Sequence, residues 1–325
     1  MSVAGPRLVF LDAATFGDVS LEHFSADWDC TLHPSSSPDE VPDRLTGRDA
    51  VVVNKVTLDS NVLASPEARE LKLIAVAATG TDNVDLEAAR AHGIRVCNVP
   101  RYATQSVAQF TMALILELAT HAGRYQQRVR AGAWQRSPMF TLLDYPAMEL
   151  CGKSLGIIGL GSIGQAVAGM ARSFGMEVLV SARPNTPPPI PPGRMDFSDL
   201  LKRADVVTLH CPLTPETQNL IDSRALSLMK PTAFLVNTAR GGLVHEGVLV
   251  EALKQGRLAG AALDVLSREP PPADHPVIVA SAELENLVVT PHCAWSAREA
   301  RQRLLDEVAE NVRAFISGAE RNCVV

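Results

Sequence analysis

Short runs of apolar residues alternate with helical patterns along most of the chain. In the first hundred residues, four such runs predict strands, and from residue 154 to residue 290 six more follow with helical segments between them. Strands that alternate with helices of about ten residues are typical of βαβ units, whose strands lie parallel in one sheet. The pattern therefore predicts two parallel sheets. The predicted strands lie within residues 7–12, 50–55, 71–80 and 94–100, and then within 155–159, 177–182, 206–210, 233–239, 260–265 and 287–290.

The segments outside the predicted strands are assigned to helix or loop from their apolar periodicity and their proline content. Apolar positions three or four residues apart predict a long helix from Thr104 that reaches Arg130. The next segment, 132–150, has weak periodicity and two prolines, which indicates an irregular arm. Residues 184–192 include six prolines and cannot form the interior of a helix, so we predict a stiff surface loop there. A last amphipathic helix is predicted over 296–317.

The order of these segments predicts two domains. The six-strand series places a nucleotide-binding type of domain at residues 101–291, and the flanking residues 1–100 and 292–325 must then form the other domain together. A length of 325 residues suits two domains of ordinary size. Because the chain crosses between the domains twice, a hinge and a cleft are expected.

Composition and charge narrow the class of protein. Hydrophobic residues make up 46% of the chain and charged residues 20%, as in ordinary globular proteins. The formal net charge is −6 and no stripe of lysine and arginine occurs, which argues against binding of nucleic acid or of an anionic membrane. No apolar run reaches the roughly 18 residues of a membrane span, and the first residues lack the pattern of a signal peptide.

The six cysteines lie far apart in the sequence. They form neither a CxxC pair nor a zinc pattern, so no metal site is predicted. Scattered cysteines fit a reducing cytoplasm, and we expect six free thiols without direct chemistry in a cytoplasmic protein. They are Cys30, Cys97, Cys151, Cys211, Cys293 and Cys323.

A glycine-rich turn supplies the strongest local signal for a ligand. Gly159, Gly161 and Gly164 follow a predicted strand and open the predicted helix 162–174, which is the context of a dinucleotide-binding loop. The first glycine permits a tight turn, the second lets the backbone approach a pyrophosphate, and the third lets the helix pack on the strand. The phosphates would then lie at the helix N-terminus, where free N–H groups and the helix dipole favour negative charge.

The end of the following strand bears on which nicotinamide cofactor is used. Folds that bind NAD place an acid there, about 20 residues further on, which accepts hydrogen bonds from the ribose. This chain has Ala182, 18 residues after Gly164, and alanine accepts no hydrogen bond from ribose. The next residue, Arg183, would face a 2′-phosphate, although a solvated arginine ahead of the proline-rich loop is the alternative interpretation. The pattern favours NADP(H) and leaves NAD(H) open.

Polar residues follow three later strands at the carboxyl edge of the sheet, where doubly wound sheets bind ligands. Arg240 follows one strand, Asp264 and Glu269 follow the next, and His292 follows the last. An arginine would clamp a carboxylate and polarise a carbonyl, a histidine would donate a proton, and an acid would hold the imidazole. Together these residues suit hydride chemistry on a 2-keto acid, although each alone also fits a structural or solvated role.

These motifs together resemble the D-isomer-specific 2-hydroxyacid dehydrogenases. The resemblance spans nearly the whole chain and rests on ATGTDNVDLEAARAHGIRVCNVP, GLGSIG, LHCPLTPET, LVNTARGGLV, GAALDV and TPHCAW. Within that family the chain is most similar to the glycerate dehydrogenases, also called hydroxypyruvate reductases. That nearer likeness rests on GAWQRSPMF, LLDYPAMELCGKSLGIIG and REPPPADHP.

The resemblance implies a role for each site residue. Arg240, Glu269 and His292 would be catalytic, and Asp264 would hold the nicotinamide carboxamide. Backbone groups of Thr79 and Gly80 would bind the substrate carboxylate. The other cofactor contacts would come from Ser162 and Ile163 at the pyrophosphate, Cys211 and Pro212 at the adenine, and Thr238 and Ala294 at the nicotinamide. Asn54, Lys55 and Trp295 are further candidates for substrate contact, against a strand-end or packing role.

We therefore predict an α/β enzyme of two doubly wound parallel-sheet domains. The central one would be a Rossmann dinucleotide-binding domain, and the one built from both chain ends a flavodoxin-like substrate domain. The enzyme would interconvert hydroxypyruvate or glyoxylate and D-glycerate or glycolate with a nicotinamide cofactor. The resemblance implies a homodimer in which the arm 132–150 embraces the partner.

Other members of this fold stay open as alternatives. A 3-phosphoglycerate dehydrogenase is disfavoured because about 33 residues follow His292, too few for a regulatory domain. A formate dehydrogenase would pair the histidine with a glutamine, and here the partner would be Glu269. A D-lactate type of enzyme, and a nucleotide-sensing corepressor with longer tails, are the remaining alternatives.

Overall fold

The computed structural model of the protein describes residues 5–184 and 186–325. Residues 1–4, at the start of the predicted first domain, and Asn185, in the predicted proline-rich loop, lie outside the described residues. The chain divides into two compact units, Met1–Ala103 with Ser296–Val325, and Thr104–Trp295. Which ligand each unit binds stays a prediction.

The first unit is built on a parallel sheet of five described strands. The strands are β1 (Leu8–Phe10), β2 (Cys30–Leu32), β3 (Ala50–Val53), β4 (Leu73–Val76) and β5 (Arg95–Cys97). Their order is β2-β1-β3-β4-β5, the flavodoxin-like order. The helices are α1 (Glu22–Asp27), α2 (Val41–Leu45), α3 (Ser60–Leu63), α4 (Leu86–Ala91) and, from the other end of the chain, α12 (Arg298–Ile316), with 3-10 turns at Ala13–Phe16, Pro38–Glu40 and Pro66–Ala68.

Burial explains which strands of this sheet the sequence predicts. Every residue of β1, β3 and β4 is buried. A strand that is covered on both faces has a continuous run of apolar residues in its sequence, which makes it easy to predict. The sequence pattern missed β2. This edge strand of three residues is only partly buried, so Cys30, Thr31 and the exposed Leu32 form no apolar run.

The second unit contains a six-stranded parallel sheet, as the sequence predicts. Its strands are β6 (Ser154–Ile158), β7 (Glu177–Val180), β8 (Val206–Leu209), β9 (Phe234–Asn237), β10 (Gly260–Leu263) and β11 (Leu287–Val289), in the order β11-β10-β9-β8-β6-β7. Outside β7, Met195 makes an isolated parallel bridge with Ser181. We can number the strands of this sheet along the chain, with β6 as 1, β7 as 2, the bridge at Met195 as 3, and β8, β9 and β10 as 4, 5 and 6. From the bridge inward, the spatial order is then 3-2-1-4-5-6, which is the Rossmann order.

Helices accompany the second sheet along the chain. They are α5 (Thr104–Thr120), α6 (Ala122–Arg130), α7 (Ser162–Ser173), α8 (Phe197–Arg203), α9 (Ser223–Leu228), α10 (Glu246–Lys254) and α11 (Pro276–Glu283), with a 3-10 turn at Gly241–Leu243. Leu114, Ile115 and Leu118 of α5 are buried with strand residues of this sheet in one apolar core. Within the described residues, no helix has the length and apolar character that crossing a membrane requires.

The predicted helix from Thr104 to Arg130 is two helices rather than one. His121 has a left-handed backbone, with φ of 55°, and this residue separates α5 from α6. Apolar periodicity shows which face is buried, but it does not show a single residue that leaves the helical region. After α6, residues 132–150 form turns, bends and irregular backbone with neither helix nor strand, which confirms the predicted irregular arm.

Candidate active site

The glycine-rich turn has the geometry of a phosphate-binding loop. Gly159 has a φ of 98°, and a Cβ there would lie 2.5 Å from the backbone nitrogen of Cys211. A Cβ on Gly164 would overlap the carbonyl oxygen of Gly159, so the start of α7 packs tightly on the turn. At Gly161, the N-cap of α7, a Cβ would meet no atom within 4 Å. The open space therefore lies where the resemblance expects phosphates, beside the exposed Ser162 and the half-buried Ile163.

Two arginines lie at the end of β7. Ala182 is buried, and its N–H donates to the carbonyl oxygen of Met195 at 2.8 Å. Arg183 follows it and is exposed. Arg194 precedes Met195, and its Nη1 donates to the carbonyl oxygen of Ser181 at 3.3 Å. Sequence reasoning missed Arg194, because only the bridge between Ser181 and Met195 brings it back to this strand end.

Three loops converge at the carboxyl edge of β9, β10 and β11. The N–H of Asp264 donates to the carbonyl oxygen of Asn237 at 2.9 Å, and the N–H of Thr290 donates to that of Leu263 at 2.9 Å. A Cβ on Gly241 would overlap the backbone of Leu266. The loop after β9, which carries Arg240, therefore lies against the loop after β10, which carries Glu269.

Asp264 ties the loop after β11 to the loop after β10. Its side chain is buried, with 1% of the residue exposed. One carboxylate oxygen accepts from Thr290 Oγ1 at 2.6 Å and from the N–H of Cys293 at 3.0 Å, and the other accepts from the N–H of Ala294 at 2.9 Å. These bonds fix the backbone on both sides of His292.

His292 and Glu269 form a close pair. The Nδ1 of His292 lies 2.5 Å from Oε2 of Glu269, so Nδ1 donates and Nε2 remains for another partner. The other carboxylate oxygen of Glu269 accepts from the N–H of Leu266 at 2.8 Å. Both side chains keep a quarter to a third of their surface exposed, 25% for His292 and 33% for Glu269. The imidazole is thus oriented by an acid and still accessible. The catalytic role of this pair stays a prediction.

The backbone of His292 is unusual. Its φ is 51°, in the left-handed region that residues with side chains seldom adopt. Its N–H donates to the carbonyl oxygen of Asp264 at 2.8 Å and to that of Thr290 at 3.0 Å. A tight turn of the chain therefore presents the imidazole.

Arg240 is half-buried at the start of the 3-10 turn after β9. Asn237 braces this segment, because its Nδ2 donates to the carbonyl oxygen of Arg240 at 2.8 Å and its Oδ1 accepts from the N–H of Ala239 at 3.0 Å. The guanidinium Nη1 donates to the carbonyl oxygen of Ala239 at 2.8 Å. The side chain thus belongs to the same strand edge as the pair of His292 and Glu269.

The remaining predicted cofactor residues of this unit differ in exposure. Thr238 is buried, and its hydroxyl lies 3.0 Å from that of Thr111. Ala294 is buried, whereas Cys211 is half-buried and Pro212 exposed. Trp295, which the sequence predicts to contact substrate rather than cofactor, donates from Nε1 to the carbonyl oxygen of His292 at 2.9 Å and so braces the histidine turn.

Four predicted substrate residues belong to the first unit. They are Asn54 and Lys55 after β3, and Thr79 and Gly80 after β4. Asn54 is buried and its Nδ2 donates to the carbonyl oxygen of Ala77 at 2.5 Å, which gives it a bracing role inside the unit. Lys55 and Thr79 are exposed and Gly80 half-buried, and substrate contact by all four stays a prediction.

Sequence reasoning missed Asp12, which organises the loop after β3. This buried carboxylate accepts from the backbone N–H groups of Asn54 at 2.9 Å, of Lys55 at 2.6 Å and of Val56 at 3.2 Å. The available signal was an acid directly after a buried strand.

Known proteins are similar to the chain over nearly its full length. The sequence model of the family described as D-isomer specific 2-hydroxyacid dehydrogenase, NAD binding domain, matches residues 112–294. A glycerate dehydrogenase of Methylorubrum extorquens is 41% identical over 320 residues, which cover 98% of each chain. A hydroxypyruvate reductase of Blautia hydrogenotrophica is 36% identical over 325 residues, which cover 98% of this chain and 99% of the relative.

A solved structure is also similar. A protein of Thermus thermophilus superposes with a TM-score of 0.84 at 38% identity, and the match covers 98% of this chain and 100% of that one.

Proposed function

The chain belongs to the D-isomer-specific 2-hydroxyacid dehydrogenases, which interconvert 2-keto acids and D-2-hydroxy acids with a nicotinamide cofactor, and we propose that its own substrate is hydroxypyruvate, with glyoxylate second. The names of the relatives support this choice, because they include a glycerate dehydrogenase, a hydroxypyruvate reductase and several glyoxylate reductases. The observation that carries the chemistry is the 2.5 Å pair between His292 and Glu269.

The second unit would hold the cofactor. The backbone around Gly161 and the start of α7 would receive the pyrophosphate, since the loop leaves open space there and offers N–H groups at a helix N-terminus. The nicotinamide ring supplies or accepts the hydride when it is bound. Thr238 and Asp264 directly follow β9 and β10, and Ala294 lies in the loop after β11, so we assign these three residues to the nicotinamide side.

His292 would act as the acid and base. Since Glu269 accepts from Nδ1, the proton on Nε2 is directed away from the acid and can pass to the carbonyl oxygen of the keto acid as that oxygen becomes a hydroxyl. In the reverse direction, Nε2 would take the hydroxyl proton. The carboxylate of Glu269 holds the ring through Nδ1, so Nε2 is the nitrogen left to exchange a proton with the substrate.

Arg240 would bind the substrate carboxylate and polarise the keto oxygen. A guanidinium presents two parallel donors, and a 2-keto acid presents two acceptors at matching spacing. These assignments follow the resemblance and the exposure of Arg240.

A substrate panel with a proton-donor variant tests this function. Purified enzyme is assayed with hydroxypyruvate, glyoxylate, pyruvate and 3-phosphohydroxypyruvate, each with NADH and with NADPH. We expect the highest kcat/KM for hydroxypyruvate, and a loss of about 10²–10⁴ in kcat for His292→Ala with little change in cofactor affinity. A higher kcat/KM for another keto acid would refute the substrate, and a fully active His292→Ala would refute the role of the histidine.

We also propose that NADP(H) is preferred over NAD(H). Ala182 removes the acid that would accept from the ribose and repel a 2′-phosphate, and Arg183 and Arg194 place two guanidiniums at the same strand end. A charge-assisted contact to phosphate contributes about 1.5–3 kcal/mol, roughly 10- to 150-fold. Because Arg183 and Arg194 are both exposed, screening favours the low end, about tenfold.

Single alanine variants measure the contribution of each arginine. Arg183→Ala and Arg194→Ala should each raise KM for NADPH and leave KM for NADH nearly unchanged, and Ala182→Asp should reverse the preference. Arg224→Ala on α9 is the matched control, an exposed arginine remote in sequence from the β7 end. A wild-type preference for NADH, or an unchanged NADPH KM in both arginine variants, would refute the proposal.

The arm 132–150 supports a homodimer. It exposes four large apolar side chains, and Phe140 has 91% of its surface exposed. A patch of this kind on a monomer is typical of a protein interface. We propose that a second copy covers it. The four are Trp134, Met139, Phe140 and Leu143.

Sedimentation and one charged variant test the dimer. Wild type should sediment as a dimer, and Phe140→Asp should shift it toward monomer. Val279→Asp, at an exposed apolar residue of α11, should leave the dimer intact. A monomeric wild type, or a dimer that Phe140→Asp leaves unaffected, would refute this interface.

A further inference from the structure

The last residues of the chain pair with an edge strand of the first sheet. The N–H of Asn98 donates to the carbonyl oxygen of Asn322 at 3.1 Å, and the N–H of Val324 donates to that of Val96 at 2.8 Å. These two bonds flank an antiparallel bridge between Cys97 in β5 and the residue opposite it, Cys323. The C-terminal segment thus adds to the edge of the sheet through backbone bonds.

The register brings two thiols face to face. In an antiparallel ladder, two residues flanked by bonds of this kind are a non-hydrogen-bonded pair, with Cα atoms about 4.5 Å apart and side chains on the same face. The Sγ atoms of Cys97 and Cys323 lie 3.4 Å apart. Disulfides span Cα separations from about 4.4 Å upward, so a bond between these sulfurs needs no rearrangement of the backbone ladder.

The two cysteines also differ in access. Cys97 is buried, whereas Cys323 is exposed. Burial, with the neighbouring Cys323 thiol adding to it, raises the pKa of the Cys97 thiol to about 12. A reagent from solution therefore meets Cys323 first, and Cys97 lies behind it as the second thiol.

We propose that Cys97 and Cys323 are an oxidation site at which a small-molecule disulfide fastens the C-terminal segment to β5. The thiolate of Cys323 attacks the reagent, which forms a mixed disulfide and releases one reagent thiol. The thiolate of Cys97 then attacks the sulfur of Cys323, which forms the protein disulfide and releases the second reagent thiol. The protein loses two electrons and two protons, and the reagent disulfide is reduced to two thiols.

Oxidised glutathione is the probe for this site. The enzyme is incubated with oxidised glutathione and quenched with acid. It is then compared with untreated protein by intact mass, thiol titration in denaturant and peptide mapping. We expect a mass loss of two hydrogen atoms, a fall of two in the count of six thiols, and one cross-linked peptide pair that contains Cys97 and Cys323. Dithiothreitol should restore all six.

Serine variants separate this site from general thiol oxidation. Cys323→Ser should abolish the cross-link, and Cys151→Ser, the matched control at another exposed cysteine, should leave it unchanged. In the oxidised wild type, carboxypeptidase should release the final residues more slowly than in the reduced protein, and this difference should be absent in Cys323→Ser. Circular dichroism and activity confirm that each variant is folded.

Three results would overturn the proposal. They are glutathione retained on Cys323 without closure onto Cys97, a disulfide between two copies of the chain, and equal loss of thiols in wild type and Cys323→Ser.

Discussion

Asp264 offers a test of how the histidine turn is held. Its carboxylate accepts from Thr290 Oγ1 and from the backbone N–H groups of Cys293 and Ala294, which lie on either side of His292. The substitution Asp264→Asn keeps the shape of the side chain, but it removes the charge and replaces one acceptor oxygen by a donor. One of the three donors then faces an amide NH₂ in a site that is 1% exposed.

The size of the effect follows from these contacts. A hydrogen bond to a charged group contributes about 1.5–3 kcal/mol, and an unsatisfied buried donor costs about 1–3 kcal/mol. We therefore expect Asp264→Asn to lower the free energy of unfolding by about 2–3 kcal/mol. Asp264 lies in the unit Thr104–Trp295. In a domain of about 150–250 residues, a loss of 1 kcal/mol lowers Tm by about 2–4 °C, so Tm should fall by about 4–12 °C. A shift of His292 by about 1 Å would cost about 10²-fold in kcat.

Thermal unfolding without cofactor and steady-state kinetics check this prediction together. Asp274→Asn is the matched control, since this acid is exposed in the same loop region and should change neither Tm nor kcat. The reasoning is refuted if Asp264→Asn unfolds at the wild-type temperature and alters only the KM for cofactor. In that case Asp264 acts through the nicotinamide alone, as the resemblance implies, and does not position the histidine.

Three further predictions concern charges. Glu269→Gln should lower kcat for reduction, because the negative charge that accepts from Nδ1 of His292 at 2.5 Å is lost; an unchanged kcat would contradict this. Arg240→Lys should lower kcat/KM at least tenfold, since an ammonium cannot form two parallel hydrogen bonds to the substrate. Near-full activity would refute bidentate binding by the guanidinium. Arg7 holds the pKa of Asp49 at about 2, below its usual 3.8, so Asp49→Asn should lower stability at pH 7 in urea unfolding, by an amount that shrinks as pH falls from 3.8 to 2.

The sequence predicts well those features that depend on burial along a regular element. The buried run Ala50–Val53 marks a strand covered on both faces, and the six runs of the second unit became its six strands. The pattern fails where a local backbone choice decides the structure. Leu32 lies in a short, half-exposed edge strand, and His121 interrupts a continuous apolar face by one left-handed residue.

The candidate site divides in the same way. The carboxyl ends of parallel strands lie at one edge of a sheet. The sequence alone therefore predicts that Arg240, Glu269 and His292 lie on neighbouring loops. The contacts of Arg194 and Asp12 depend on how loops return to the sheet. The spacing of residues in the sequence does not show where a loop folds back onto the sheet, so the contacts of these two residues could not be predicted.

The turn at His292 shows why its neighbours matter as much as the histidine itself. A left-handed backbone at a residue with a side chain costs of order 1 kcal/mol or more, and glycine would relieve that cost. Glycine, however, carries no imidazole, so the proton transfer that we propose for His292 and the backbone place opposite demands on this position. The buried carboxylate of Asp264 resolves the conflict, because its bonds to both sides of the turn outweigh the strain. The aspartate is then required for the shape of the site even in the absence of any ligand.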